Sequence, residues 1–322
     1  MSQPFYHLRP NKYVDRCLFV NALDRLGSQI GLQKHRYIGF GSYLFDDFKL
    51  VHDRLNIETM ISLEADTVIF NRAIYNAPYR CIDVVNQTST DFISGENWGE
   101  QNSIIWLDYV SPRAIGQQFN DIATLSNTIL PHDVLKVTFN ANVDTLGKIE
   151  GVNDVRDLRF EKLKTRIGQY IPTDSTSNEC TKEKYPLLLL NCLRVMLSKC
   201  FTETKYDKRF VLPLFSTIYQ DGQHLMLTFT CVILDDHDEE RKIKSSFDDI
   251  PYINFEWDRP SRIKIPELTV KEMIEINKLL PDKDIEEQLL EKFNFVFGDS
   301  SEAATSYISF YKYYPNFQSV NF

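Results

Sequence analysis

The apolar residues of the first half of the chain switch repeatedly between two spacings. Apolar side chains that recur every three to four positions predict amphipathic helices over 13–27, 43–55 and 113–129. Short, nearly continuous apolar runs predict strands over 35–41, 58–66, 80–85, 103–109 and 133–141. Strands that alternate with helices in this way are typical of a parallel sheet with right-handed crossovers. The first half is therefore predicted to be a doubly wound α/β domain.

Two more helices are predicted over about 152–169 and 183–200, and then the pattern changes. Two long strand-like runs, 209–220 and 223–234, flank the dipeptide Asp221-Gly222, which is a strong signal for a β-hairpin. Nicotinamide-binding Rossmann domains usually continue in parallel, whereas S-adenosylmethionine-dependent methyltransferases close their sheet with an antiparallel hairpin. The predicted fold is α/β, with a Rossmann-like, seven-stranded methyltransferase sheet that is mostly parallel and ends in this hairpin.

Residues after 235 have a different character. An acidic run, DDHDEE, is followed by a basic one, RKIK, and then by the amphipathic segments LTVKEMIEINKLL and DIEEQLLEKF. These patterns predict a C-terminal helical extension over 236–322, packed on a methyltransferase-like domain that spans 1–235. The same helices offer a surface to which a protein partner could bind.

Composition and charge narrow the choice of partners. The net charge is −9, and acidic residues outnumber basic ones in both halves, so nucleic acid is possible as a partner but not favoured. The chain has no secretory-type leader and no long apolar stretch, which predicts a cytoplasmic protein without a membrane segment. Its six cysteines form no C-x-x-C pair, and neither a disulfide framework nor a metal site is expected.

The predicted first strand ends in G-F-G-S, residues 39–42, and a helix follows. Glycine allows a close approach of the backbone to a ligand, so Gly39, Gly41 and Ser42 are candidate cofactor-binding residues. Glu64 ends the second strand, where a carboxylate can accept both hydroxyls of a cofactor ribose. Asp83, in the third strand, is a further candidate for the cofactor site.

The fourth strand ends in Asp108 and Tyr109, the candidate catalytic residues. Ligands bind at the carboxyl ends of strands in open α/β sheets, and a carboxylate there can hold an ammonium, act as a general base or bind a metal. Base-modifying amino-methyltransferases carry Asn or Asp followed by Pro-Pro-aromatic at this place, and the sequence Asp-Tyr-Val-Ser departs from that pattern. Methylation of DNA bases is therefore disfavoured.

Several of these segments together resemble a bacterial family of O-methyltransferases, from near residue 7 to near residue 319. They are RPNKYVDR, RYIGFGSYLFDDFKLVH, MISLEAD, IIWLDY, LTVKEMIEINKLL and FYKYYPNFQ. The resemblance implies a Rossmann-like fold, S-adenosylmethionine as cofactor and an oxygen acceptor. Methyltransferases generally place an acid two positions before the first motif glycine, where this chain has Tyr37. Asp46 or Asp47 could compensate from the following helix, or cofactor binding is weak or lost.

The leading hypothesis is an S-adenosylmethionine-dependent O-methyltransferase, in which Asp108 positions or deprotonates the acceptor and Tyr43 or Tyr109 faces the cationic sulfur. The polar set just ahead of the first helix, which includes Lys12, Asp15 and Arg16, could fold over the cofactor. The alternative is a catalytically silent, methyltransferase-like binding module in a multiprotein system such as a phage-defence or toxin–antitoxin locus.

Overall fold

The computed structural model describes residues 9–148, 154–202, 207–266, 268–282, 285–293, 295 and 303–314. Its helices are α1 (Pro10–Ile30), α2 (Asp46–Leu55), α3 (Thr67–Asn76), α4 (Ser89–Gly95), α5 (Ile115–Ser126), α6 (Arg156–Ile167), α7 (Tyr185–Cys200), α8 (His237–Ser246), α9 (Val270–Asn277), α10 (Ile285–Lys292) and α11 (Ala303–Phe310). Its strands are β1 (Arg36–Gly39), β2 (Met60–Leu63), β3 (Ile82–Val85), β4 (Ser103–Asp108), β5 (Val134–Asn140), β6 (Phe210–Asp221), β7 (His224–Leu234) and β8 (Ser261–Ile263).

The strands form one sheet in the order β3-β2-β1-β4-β5-β7-β6-β8. Strands β1 to β5 pair in parallel, and β7 runs antiparallel between β5 and β6. The predicted mixed sheet with a closing hairpin is confirmed. Residues 261–263 add β8, parallel to β6, which the predicted helical extension did not include. Three residues are too few to show a strand period, so this edge strand is visible only in its pairing with β6.

Two apolar cores cover the two faces of the sheet. One contains the inward-facing residues of α4, α5, α6 and α7, and the other those of α1, α2, α3 and α8. Helices on both faces explain why the central strands read as continuous apolar runs, since such strands are buried on both sides. A third, small cluster lies among α9, α10 and α11. Within the described ranges, no helix is both long enough and apolar enough to span a membrane.

Helix α1 begins with Pro10 at its first position, where the missing N–H of proline costs no helical hydrogen bond. Gly31 caps the C-terminal end of the helix. Its backbone is left-handed, and its N–H donates a hydrogen bond to the carbonyl of Gly27. Two residues after 235 bind this helix: the Tyr252 hydroxyl donates to the Leu18 carbonyl, and the Ile265 N–H donates to Asn11 Oδ1. The first turns of α1 are unusual because their buried residues include Lys12, Asp15 and Arg16.

Candidate functional site

The chain reverses between β1 and α2 in a turn that only glycine fits at position 41. A Cβ there would lie 2.7 Å from both Ser62 Oγ and Phe45 Cδ1. The Gly41 N–H also donates to Ser62 Oγ at 3.1 Å, which ties the turn to β2. Ser42 and Phe45 have left-handed backbones, with φ of 49° and 55°. Non-glycine residues in this region store strain and are concentrated at binding sites.

The helix after this turn carries an aspartate that contacts Tyr37, the residue at the position where methyltransferases generally have an acid. The buried Tyr37 hydroxyl donates to Asp47 Oδ2 at 2.6 Å. Burial raises the pKa of Tyr37 well above its usual value, and the neighbouring Asp47 acts in the same direction, so the phenol stays protonated. Burial also raises the pKa of Asp47, although Arg16 opposes that shift. Of the two candidates for the missing acid, Asp47 is therefore the one that Tyr37 holds in place.

Glu64 directly follows β2 at the carboxyl edge of the sheet. Its carboxylate accepts the N–H of Asp66 at 3.1 Å, and burial raises its pKa although it remains half-exposed. Asp83 lies on the edge strand β3 and is exposed, paired in register with Ile61 and two residues short of the strand end. The structure thus places Glu64 at the edge where ligands bind and Asp83 further from it. Both assignments to the cofactor stay predictions.

Asp108 and Tyr109 are adjacent in sequence but face different surroundings. Asp108 accepts Lys12 Nζ at 2.7 Å and lines the cavity beside Gly41. Burial alone would raise the pKa of Asp108, but Lys12, with help from Arg16 and Lys136, lowers it below its ordinary value. Tyr109 instead packs into the α5 side of the sheet, where its hydroxyl donates to Asp121 at 3.0 Å.

Tyr43, the other aromatic candidate for contact with the sulfur, has its ring face covered. The guanidinium carbon of Arg72 lies 3.5 Å from the ring centroid, a cation–π contact that links the turn to α3.

Burial raises the pKa of Tyr109 well above its usual value, and Asp121 adds to that shift. The structure therefore places Asp108 at the cavity, whereas both tyrosines already have partners elsewhere. The catalytic assignment of Asp108 and Tyr109 stays a prediction.

Helix α1 covers the carboxyl ends of the central strands with charged side chains. Besides Lys12 on Asp108, Arg16 lies 3.5 Å from Asp46, and its pKa is raised by nearby acids although burial acts to lower it. The cavity beneath is lined mainly by Arg16, Gly41, Asp46, Asp47, Trp106 and Asp108. Its volume of about 20 Å³ has room for one water molecule. Lys12 and Arg16 of the N-terminal polar set thus contact acids that line this cavity, whereas their contact with a cofactor stays a prediction.

A second buried pair, behind the cavity, was not predicted. Lys136, in the middle of β5, lies 2.9 Å from Asp15 of α1, and both side chains are completely buried. Two threonine hydroxyls of the hairpin, Thr217 and Thr228, donate to the other oxygen of Asp15. Burial lowers the pKa of Lys136, an effect that Asp15 opposes. The sequence feature that could have indicated this pair is the lone lysine within the apolar run VLKVTF, since a buried lysine needs a partner.

The sequence matches the profile of a protein family described as "Putative O-methyltransferase" over residues 4–322. The chain belongs to this family. It is therefore an enzyme of the methyltransferase class, and the resemblance read from the motifs is confirmed. A comparison with curated protein sequences found no match.

The solved structures to which this chain is similar have low sequence identity to it. Trm1 from Pyrococcus horikoshii, in complex with S-adenosyl-L-methionine, is 10% identical with a TM-score of 0.49, covering 94% of this chain and 75% of its own. A putative O-methyltransferase from Klebsiella pneumoniae is 10% identical with a TM-score of 0.37, covering 73% and 92%. The N-methyltransferase NodS from Bradyrhizobium japonicum is 8% identical with a TM-score of 0.37, covering 66% and 94%.

Proposed function

We propose that this enzyme transfers the methyl group of S-adenosylmethionine to an oxygen atom of its acceptor. The observation that carries the proposal is the state of Asp108. Its Oδ1 is buried and accepts no hydrogen bond from the residues that the structure describes, yet it lines the cavity beside the Gly41 turn. A buried acceptor without a donor is costly, which favours a cationic donor in the bound state.

The position of this acceptor in the sheet supports the same ligand. The sheet order changes direction between β1 and β4, so Gly41 and Asp108 lie on either side of the switch point. Ligands of open α/β sheets bind in the crevice outside the carboxyl ends of the strands at such a point. Glu64 directly follows the next strand, β2, on the same edge.

The residues at this edge fit the polar groups of the cofactor one by one. Glu64 would accept hydrogen bonds from the ribose hydroxyls, Asp108 would hold the ammonium of the methionine end, and Arg16 would hold its carboxylate. The cavity is much smaller than the cofactor, so α1 has to shift for the cofactor to enter. In that shift Lys12 gives up Asp108 and Arg16 gives up Asp46, and the ligand's own charges replace the two lost partners.

When bound, the cofactor would supply a methyl group on a positively charged sulfur. The lowered pKa of Asp108 keeps its carboxylate ionised at neutral pH, which suits it to hold a cation and makes it a weak base. Its proposed role is therefore positioning, and proximity and orientation supply most of the rate. The helix α1, closed again over the ligand, would exclude water.

The oxygen acceptor is proposed from the description of the family. The net charge of −9 argues against a polyanionic acceptor, because no basic half of the chain offers a phosphate-binding surface. The acceptor class that this charge favours is a neutral or cationic molecule with a hydroxyl group.

Isothermal titration of the purified protein with S-adenosylmethionine tests the proposal. We expect saturable binding, weakened about tenfold or more by Glu64→Gln, because hydrogen bonds to a charged group contribute about 1.5–3 kcal/mol. Glu58→Gln is the matched control, since Glu58 is exposed just ahead of β2, away from its carboxyl end. Absence of heat at millimolar cofactor with folded protein would refute the cofactor assignment.

A further inference from the structure

The charges buried around the cavity do not balance. The charged residues of this cluster lie on α1, at the start of α2, at the end of β4 and within β5, and each of their side chains is at least about three-quarters buried. The bases are Lys12, Arg16 and Lys136, and the acids are Asp15, Asp46, Asp47 and Asp108. Among the residues that the structure describes, three positive charges thus face four negative ones. The adjoining pair of Arg9 and Asp221, 3.0 Å apart, adds one charge of each sign and leaves the difference unchanged.

Asp47 is the acid left over when the pairs are assigned. Lys12 pairs with Asp108, Lys136 with Asp15 and Arg16 with Asp46. Asp47 is in none of these pairs. It receives a hydrogen bond from the neutral Tyr37 hydroxyl, and both this bond and the nearby Arg16 favour its carboxylate form against the effect of burial. Of the described residues, Tyr219 also faces the cluster, and its buried hydroxyl has a strongly raised pKa and so contributes no charge.

We propose that the unmatched charge of Asp47 makes the site select the sulfonium cofactor over its own demethylated product. This inference rests on the proposed function. S-adenosylmethionine carries an ammonium, a carboxylate and a sulfonium, with a net charge of +1, whereas S-adenosylhomocysteine has lost the sulfonium charge and is neutral. A buried site with a net charge of −1 is neutralised by the first ligand and left uncompensated by the second.

The preference for the cationic cofactor changes how tightly the ligand is bound when the methyl group is transferred. The acceptor oxygen donates an electron pair to the methyl carbon, the C–S electron pair stays on sulfur, and the acceptor proton passes to solvent. The ligand loses its positive charge in that step while the charge of the protein cluster is unchanged. The site therefore weakens its hold on the product, and inhibition by S-adenosylhomocysteine is expected to be weak.

The test compares three ligands by isothermal titration with the full chain: S-adenosylmethionine, S-adenosylhomocysteine and sinefungin, in which an amine-bearing carbon replaces the sulfonium. We expect the two cationic ligands to bind about tenfold more tightly than the neutral product, the effect of one unit charge roughly 10 Å away in a partly hydrated interior. Asp47→Asn keeps an acceptor for Tyr37 but removes the charge, and it is expected to bring all three affinities close together. Asp53→Asn, at an exposed position of α2, is the matched control and should leave the ratio unchanged.

Equal affinity of the wild-type protein for all three ligands overturns the inference while the proposed function stands, and this comparison does not depend on the folding of any variant. The inference also fails if Asp47→Asn weakens the three ligands by the same factor, or if Asp53→Asn narrows the ratio as much. If none of the three ligands binds, the proposed function falls and this inference falls with it.

Discussion

Two aspartates, Asp133 and the mostly buried Asp108, lie at opposite ends of the neighbouring strands β4 and β5, and their partners differ in kind. Asp133 precedes β5 and is completely buried. It accepts the backbone N–H groups of Ser103 at 2.6 Å and Leu130 at 2.7 Å, and the amide of Asn102 at 3.0 Å. Asp108 ends β4 at the other edge, where its closest partner is the ammonium of Lys12 at 2.7 Å.

As a result, the pKa values of the two carboxyl groups are shifted in opposite directions. Burial raises the pKa of Asp133 to about 6, because neutral N–H donors offset only part of the desolvation. At Asp108 burial acts in the same sense, but three cations outweigh it and lower the pKa. At the amino edge, Asp133 is thus held mainly by hydrogen bonds from uncharged donors. The carboxyl edge is held by ion pairs, in which a charged ligand can take the place of either partner.

The largest effect is expected from the buried pair behind the cavity. Asp15→Ala leaves Lys136 completely buried without its counter-charge, and breaking such a pair costs about 3–5 kcal/mol. Urea unfolding followed by circular dichroism measures the loss. Asp249→Ala removes the partner of Arg25 in an ion pair that is 40% and 68% exposed, and it should cost about 1 kcal/mol or less. Equal losses in the two variants would mean that burial does not set the cost of breaking an ion pair in this protein.

The contrast between Asp133 and Asp108 is expected to appear as opposite pH dependences. Asp133 binds its proton more tightly in the folded state than in the unfolded one, where its pKa is about 4. The folded state therefore gains stability, by roughly 2 kcal/mol, as the pH falls from 7 to 4. The lowered pKa of Asp108 has the reverse sign, so its contribution is present above about pH 4 and is lost below that value.

Urea unfolding of the wild-type protein, Asp133→Asn and Asp108→Asn between pH 7 and 3 measures both effects. The difference in unfolding free energy between wild type and Asp133→Asn should increase as the pH falls to 4. The difference between wild type and Asp108→Asn should stay level to about pH 4 and then decrease. The comparison of the two edges fails if both differences move in the same direction.

The smallest of the three effects is expected at the turn on the carboxyl edge. Gly41→Ala places a methyl group 2.7 Å from Ser62 Oγ and the Phe45 ring, and overpacking of this kind costs about 1–3 kcal/mol. Alanine also lowers the conformational entropy of the unfolded chain, which offsets part of this cost, so a net loss of about 1 kcal/mol in unfolding free energy is expected. Gly95→Ala is the control, because a Cβ at position 95 meets no atom within 4 Å. Thermal unfolding should rank Gly41→Ala below wild type and Gly95→Ala level with it, and the reverse order would contradict the packing argument.

The architecture was largely predictable because it depends on patterns of neighbouring residues. Apolar periodicity indicated the five parallel strands, and the Asp221-Gly222 turn between two long strand-like runs indicated the hairpin, all of which the structure contains. Boundaries were less accurate at the turn after β1, where α2 begins at Asp46 and the predicted helix at 43. Ser42 and Phe45 have left-handed backbones, so the helix begins only after them, and their side chains do not predict that conformation.

The sequence by itself determined the succession of strands and helices along the chain, the glycine turn and the acid just after β2, because each follows from residues close together along the chain. Only the tertiary structure decided which charges meet. Asp15 and Lys136 are 121 positions apart, and Lys12 and Asp108 are 96 apart. Spacing along a chain carries no information about such pairs. Their energies depend on burial, which exists only once α1 lies across the sheet.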